Sequence, residues 1–374
     1  MDSQTTLKTT PLIDEHRRLG AKLAPFGGWL MPIQYSGIIA EHVWTRQEAS
    51  VFDICHMGEF FIRGDADKSG LNKIITFDAK AMPSGSCRYG FALNDGGGVI
   101  DDLIIYRIAS EEWMVVTNAA TIEGDEAQFR QILSKSADFK NVSDVTAKLD
   151  LQGPKALDVM KRLIGQAVAG LGYYTFRHFN LLGEKVIVSR TGYTGELGYE
   201  IYISSGKAEA LWKLLLGDRL VKPAGLGARD TLRLEMCYLL YGQDMTTETT
   251  PLEAGMKRFV EMKKDFIGKA ALLKDRPFKE LICFKASSRR APRHNYRITR
   301  DGKDIGTVTS GSFSPSLSCG IGMGYVGVAC PAGTEISLKE SGIEIPAVVT
   351  DRPFYTLGSA KRCLGIAINK STDK

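Results

Sequence analysis

Apolar and polar positions change period several times along the chain, and the changes mark out its elements. From Leu12 to Ala24 apolar residues recur at mixed helical spacing, with charges between them, and Pro25 closes a predicted short helix. The glycine pair in Phe26-Gly27-Gly28-Trp29 predicts a loop where backbone passes close to something, and a second helical pattern runs from Ile38 to Ala49. Phe60–Ile62 reads as a strand, Asp67–Phe77 as a helix and Pro83–Ser86 as a polar turn. Alternation then takes over. Tyr89–Leu93, Gly98–Arg107 and Trp113–Asn118, separated by Asn94-Asp95-Gly96-Gly97 and Ala109–Glu112, predict an antiparallel meander. A helix over Ile122–Ser134 follows, then a strand over Ala147–Leu151, broken by Gly153-Pro154, and a helix over Ala156–Leu163. Val186–Thr191 and Tyr199–Ile203 predict a strand pair, with a helix at Ala208–Leu216. Without a regular βαβ rhythm, the class is α+β. From about Lys279, short strands with turn signals at Asp301-Gly302, Ser310-Gly311, Pro331-Ala332-Gly333 and Ser341-Gly342 predict a separate small β-domain or barrel.

Composition narrows the class. The 374 residues are 44% hydrophobic and 24% charged, a globular balance that at ~100–200 residues per domain predicts two or three packed units. The longest apolar runs, Val221–Leu226 and Ile345–Val349, fall far short of the ~20 residues of a membrane-crossing helix, so no membrane span is expected. Met1–Thr10 is polar and lacks both a signal core and a transit pattern, which predicts a cytoplasmic chain or an already trimmed one. A net charge of +5, from 48 basic and 43 acidic residues, is too mild for a nucleic-acid-binding field. The basic clusters Met256–Lys264 and Arg289–Arg300 read as solvated faces. Seven cysteines without CxxC spacing, among them Cys55 beside His56, indicate core thiols rather than zinc or disulfides. The five histidines have no HxxxH or HxH spacing, so no metal site is expected.

Three clusters could carry chemistry. In Asp95 to Tyr106 two consecutive carboxylates, Asp101 and Asp102, lie in an apolar strand run, so alternation turns one of them inward. A buried carboxylate must be hydrogen-bonded or its pKa rises, and a strand entrance and a functional site explain the pair equally well. Arg190 to Glu200 interleaves glycines with tyrosines and glutamates, which suits close approach to a flat ligand, although an ordinary glycine-rich hairpin is the simpler reading. It is no phosphate loop, since Glu196 stands where an anion would be repelled. In Pro223 to Glu235, Gly225-x-Gly227 opens a helix with Asp230 in its first turn. That N-terminus with Arg229 suits a carboxylate-bearing ligand, or else Arg229 and Asp230 only pin the helix.

Taken together, the motifs resemble the glycine cleavage T-protein family of aminomethyltransferases over essentially the whole chain. They run in order from Thr10-Pro11-Leu12 through Phe26-Gly27-Gly28-Trp29, His56-Met57-Gly58-Glu59, Gly97 to Leu103, Asn118-Ala119-Ala120, Leu151-Gln152-Gly153-Pro154, Thr191 to Glu196 and Gly225 to Asp230. Tyr241 to Met245, Thr250-Pro251-Leu252-Glu253, Asp265 to Lys269 and Thr309-Ser310-Gly311 with Phe313-Ser314-Pro315 continue the series.

The resemblance implies an α+β cloverleaf of three domains around a central tetrahydrofolate channel, ending in an antiparallel β-barrel-like domain. Domain 1 would take residues 1–52 and 140–245, domain 2 residues 53–139 and 246–278, and the last domain residues 279–374. The implied reaction moves the one-carbon unit from the aminomethyl-dihydrolipoyl arm of H-protein to tetrahydrofolate, releasing ammonia and forming 5,10-methylenetetrahydrofolate. Asp102 matches the family's functional aspartate, Glu200 the acid that holds the pterin through two parallel N–H donors, and Arg229 the base facing the folate's glutamate end. Tyr89, Tyr106, Tyr174 and Tyr193 match the channel's aromatic lining, and Asn118 a polar residue beside it. No metal, nucleic acid or membrane is implied. A bacterial chain would be cytoplasmic and a trimmed eukaryotic one would sit in the mitochondrial matrix. Cys55 stands where serine is common, and Met256–Lys263 is unusually basic, which bears on docking of the acidic H-protein. The rival readings are a folate-dependent demethylase on the same fold and a non-catalytic folate-binding module, whose KGCYxGQE segment is replaced here around Arg229–Glu235.

Overall fold

A computed structural model describes residues 6–274 and 278–364. Residues 1–5 of the polar N-terminal stretch and 365–374 of the third predicted unit lie outside the described residues. The chain opens with β1 (Lys8–Thr9), α1 (Ile13–Arg18), β2 (Lys22–Phe26), β3 (Trp29–Gln34), α2 (Ile38–Gln47) and β4 (Ala49–Asp53). The first helix thus stops well before Pro25. Gly20, at φ 70°, donates to the Arg17 carbonyl while Ala21 donates to that of His16, a cap that releases the following residues into a strand. That strand, β2, is at the edge of its sheet, where Pro25 leaves no ladder donor missing.

The elements β5 (Gly58–Arg63), α3 (Leu71–Ile74), β6 (Cys87–Leu93), β7 (Val99–Ala109) and β8 (Glu112–Thr117) follow. The helix expected over Asp67–Phe77 shrinks to the single turn of α3, because the Asp65 carboxylate folds Asp67 and Lys68 into a turn ahead of it. Next come α4 (Ile122–Ile132), β9 (Asp138–Asn141), β10 (Thr146–Gln152), α5 (Ala156–Ile164), β11 (Phe176–Leu181), β12 (Glu184–Ser189), β13 (Gly198–Ser204), α6 (Ala208–Leu216), β14 (Val221–Pro223) and α7 (Leu226–Glu235). The last elements are α8 (Lys269–Leu272), β15 (Glu280–Ala286), β16 (Arg297–Arg300), β17 (Lys303–Ser314), β18 (Cys319–Val326), β19 (Glu335–Glu340) and β20 (Ile343–Thr350).

These strands form a six-stranded sheet, β11-β12-β13-β10-β4-β14, a five-stranded sheet, β6-β7-β8-β5-β9, and a small sheet, β1-β3-β2. The fold is α+β, and the predicted tail is a closed antiparallel barrel, β15-β18-β17-β16-β19-β20, which leaves no free edge. One face of the six-stranded sheet packs Leu149, Leu151, Tyr199 and Ile201 against Val159, Leu211 and Trp212 of α5 and α6. Its other face brings Phe176, Ile187 and Tyr202 against Cys87, Tyr106, Met114 and Val116 of the five-stranded sheet. Two sheets therefore meet over an apolar patch, and the polar residues on the same faces converge beside it.

Candidate active site

A cavity of about 1430 Å³ opens beside that patch. Its volume exceeds the ~300–1,000 Å³ of an ordinary small-molecule pocket, leaving room for a long ligand and a second group reaching in. Tyr89, Asp102, Asn118, Tyr174, Tyr193, Glu200 and Arg229 all line it. Tyr106 does not. It is 0% exposed in the patch behind the wall, and its hydroxyl donates to Glu200 Oε2 at 3.3 Å and bonds Ser189 Oγ at 3.0 Å and Tyr202 Oη at 2.9 Å.

The acidic end is built on β7. Alternation turns Asp101 inward with Leu103 and Ile105, and Asp102 towards the cavity with Ile104. Asn118, just past the neighbouring strand β8, joins them. Its backbone N–H donates to Asp101 Oδ2 at 2.9 Å, and its Nδ2 donates to Asp101 Oδ1 at 2.7 Å and to Asp102 Oδ1 at 2.8 Å. Burial and then the Asp101 charge push the Asp102 carboxyl up to about 7, against hydrogen bonds from Tyr89 and Asn118. Asp101 rises well above the carboxylate range through burial and the charge of Asp125. Asp125, on α4, is 0% exposed with no hydrogen-bond partner for either oxygen among the described residues, and burial lifts it to about 6.

The opposite side is built on β10 and β13. Glu200 Oε2 accepts from Thr191 Oγ1 at 2.6 Å and from the Tyr106 and Tyr202 hydroxyls, while Oε1 lies 3.4 Å from Lys148 Nζ. Burial acts to raise the Glu200 carboxyl, but Lys148, Thr191 and Arg229 together hold it below the usual value. Oε2 is thus engaged by three hydroxyls within the protein, while Oε1 has only the long Lys148 contact among the described residues. Arg229 Nη1 donates to Asp150 Oδ2 at 2.7 Å, and its guanidinium lies 4.9 Å from the centre of the Tyr193 ring. Asp150 is driven up to about 7 by burial, which outweighs Arg229.

Several expectations change in the structure. At the N-terminus of α7 the Gly225 N–H is taken by Glu41 Oε2 at 2.8 Å, while Leu226, Gly227 and Arg229 line the cavity. Asp230 sits beyond the first turn and pairs with Arg233 at 2.8 Å. The glycines of the Thr191–Gly198 connection are required by packing within the protein, and Gly192 and Gly195 also line the cavity. A Cβ on Gly192 or Gly198 would come within 2.1 or 1.9 Å of the Gln152 amide. The Met256–Lys264 cluster is only partly solvated. Lys264 Nζ donates to the Ile75 carbonyl at 2.6 Å, and Arg258 lines the cavity. Cys55 is a buried core thiol, as expected.

Two features escaped the sequence reading. Lys148, Asp150 and Gln152 alternate along β10 and are 1%, 0% and 0% exposed, a polar stripe on the site face opposite the apolar stripe of Ala147, Leu149 and Leu151. Period two within the predicted strand carried that signal. The second is the segment 352–361, which follows the barrel and returns to supply Arg352, Tyr355, Gly358 and Lys361 to the cavity wall. It is held where Leu197 N–H donates to Ser359 Oγ at 2.9 Å and Ala360 N–H to the Gly195 carbonyl at 3.0 Å. No local pattern announces that contact.

Comparison with known proteins agrees with this architecture. Residues 12–264 match the GCVT N-terminal domain and residues 279–356 the glycine cleavage T-protein C-terminal barrel domain. An aminomethyltransferase of Thermotoga neapolitana is 41% identical over 363 residues, 95% of this chain and 99% of that protein. One from Halothermothrix orenii is 44% identical over 357 residues, 93% of this chain and 100% of that protein. The crystal structure of glycine cleavage system aminomethyltransferase T from Bartonella henselae superposes with a TM-score of 0.85 at 35% identity, covering 94% of this chain and 98% of that one. With both family domains in order and near-complete coverage of such relatives, the chain belongs to the glycine cleavage T-protein family.

Proposed function

We propose that this chain is a tetrahydrofolate-dependent aminomethyltransferase of the glycine cleavage system, working with lipoylated H-protein as its partner. The observation that carries the reading is Asp102. It is a cavity-wall carboxyl oriented by Asn118 and titrating near neutrality, on a wall that also presents Glu200 Oε1 and the Tyr89, Tyr174 and Tyr193 rings. The residues fit a reduced folate: the cavity is large, is lined by the rings of Tyr89, Tyr174 and Tyr193, and presents the buried acceptor Glu200. Bound folate supplies the nucleophilic nitrogen that takes up the one-carbon unit.

The protein's share of the chemistry is placement and charge. Glu200 and the tyrosines hold the folate ring, so that its attack on a carbon bearing both sulfur and nitrogen is effectively unimolecular. Asp102, when ionised, faces the positive charge that develops on that carbon as ammonia departs. A carboxyl titrating near 7 can also carry a proton between the departing and accepting groups. The dihydrolipoyl sulfur leaves as a thiol, and the carbon ends as methylenetetrahydrofolate. Arg229, although paired with Asp150, is 14% exposed at its side chain and faces the folate's anionic tail. The exposed Lys257 and Arg258, on a turn at the cavity edge, give an acidic partner a place to dock.

The test supplies purified protein with tetrahydrofolate and aminomethyl-loaded H-protein, and measures methylenetetrahydrofolate and ammonia. Turnover that collapses by about 10²–10³-fold in Asp102→Asn is the expected result. Tight folate binding without turnover would move the assignment to a demethylase, and methyl-sulfur donors would then be tried.

A further inference from the structure

Lys148 is a buried cation that the fold itself barely satisfies. It projects from β10 into the cavity wall at 1% exposure. Its Nζ has three N–H donors. Among the described residues these meet the Met57 thioether at 3.5 Å, a weak acceptor, and Glu200 Oε1 at 3.4 Å, with the Tyr202 ring centre 5.3 Å away. Removing an amine from water is costly unless hydrogen bonds replace the lost hydration. Here the open side of the group faces the cavity.

Glu200 presents the complementary half. Its Oε2 is engaged by Thr191, Tyr106 and Tyr202, and its Oε1 has one long contact with Lys148 and otherwise looks into the same space. A buried donor and a buried acceptor therefore stand 3.4 Å apart on one wall. A cyclic amide edge, where an N–H sits next to a C=O, presents the matching donor and acceptor to such a pair, the two hydrogen bonds splaying outward to reach it. A 2-amino-4-oxopterin has such an edge at N3 and O4, and its 4-amino counterpart does not.

Building on the folate reading above, we propose that Lys148 is a specificity-determining binding residue that donates to the pterin O4 while Glu200 Oε1 accepts from N3–H. The pair reads the lactam as a unit. A ligand with an amino group at position 4 would bring a donor against the Lys148 donors and leave Glu200 Oε1 without its N–H. The competing explanation is that Lys148 only balances the buried negative charge of Glu200, the neighbouring Glu59 being kept largely protonated by burial, which raises it to about 8. Loss of a pure counter-charge would weaken every ligand of the site alike.

The experiment measures dissociation constants of tetrahydrofolate and of 4-amino-4-deoxytetrahydrofolate for the wild-type chain, Lys148→Met and Lys148→Gln by calorimetry. Lys148→Met is expected to weaken tetrahydrofolate by about tenfold to a hundredfold. Binding of the 4-amino ligand should stay constant or improve, so that discrimination between the two collapses. Lys148→Gln keeps a shorter N–H donor and should fall between the two in tetrahydrofolate affinity, with the 4-amino ligand again unaffected. That variant decides the matter alone if Lys148→Met does not fold. Equal weakening of both ligands in either variant would overturn the lactam assignment while leaving the folate reading standing. Failure of the wild-type chain to bind tetrahydrofolate would overturn both.

Discussion

Replacing Asp102 by Asn should make the protein more stable and less active at the same pH. The carboxyl moves from an ordinary 3.8 to about 7 on folding. At about 1.36 kcal/mol per pH unit this shift is worth about 4 kcal/mol, and about 2–4 kcal/mol once solvent reaching the side chain through the cavity is allowed for. The sign follows from the direction. A raised folded-state pKa means that ionised Asp102 opposes folding: the penalty is absent below 3.8, grows as pH rises towards 7, and is complete above it. Asn keeps an oxygen for the Asn118 Nδ2 contact and never ionises. Asp101 also loses a charged neighbour. Urea denaturation of both proteins from pH 4.5 to 8.5, with turnover measured in parallel, should show the variant pulling ahead as pH rises while its activity stays low. An advantage that does not change with pH, or a wild type that is the more stable at pH 8, would refute the reasoning.

Other tests probe the supports of the site. Glu235 accepts from Arg46 Nη2 at 2.8 Å and from Ser316 Oγ at 2.8 Å, and despite burial its His42, Arg46 and Ser314 contacts hold it down to about 2. Its contribution of about 3 kcal/mol is present above pH 4.5 and lost as pH falls towards 2, so thermal melts of Glu235→Gln should show a deficit at pH 7 that narrows in acid. Arg229→Met should cost about 1–2 kcal/mol at pH 7, where Asp150 can take up a proton, and more at pH 9, and adding Asp150→Asn should remove that pH dependence in urea titrations without restoring folate affinity. Reversing charge at Lys257 and Arg258 should slow association with H-protein by about tenfold at low salt in surface plasmon resonance, and an unchanged on-rate would remove this turn from the docking surface.

Much of this site was written in strand periodicity. Asp101 and Asp102 had to face opposite sides of β7, and the structure turns one to the core and one to the cavity. Lys148, Asp150 and Gln152 obey the same rule, but polar residues inside a short apolar strand show their partners only when the partner sheet is known. Elements failed where long-range contacts outrank local pattern. β4 is buried throughout and lies between β10 and β14, so its Ala-Ser-Val-Phe-Asp run shows no alternation. At α7 the sequence showed a helix N-terminus beside Arg229, but not that Glu41, far away in sequence, accepts from the Gly225 N–H or that Ile33 packs on Gly225. Tyr106 matched a lining position by resemblance, yet its packing against Phe176 and Tyr202 places it one layer back.

The return of segment 352–361 to the cavity wall has a consequence for biosynthesis. Both large sheets are complete by residue 223, and the barrel by residue 350, before Tyr355, Gly358 and Lys361 reach their places. A nascent chain can therefore assemble nearly all of its hydrophobic cores while the binding site still lacks one side. The cavity wall is complete only after that strap has emerged from the ribosome and latched onto Gly195 and Leu197. Prematurely terminated chains that retain the barrel would carry the cavity with that side of its wall missing.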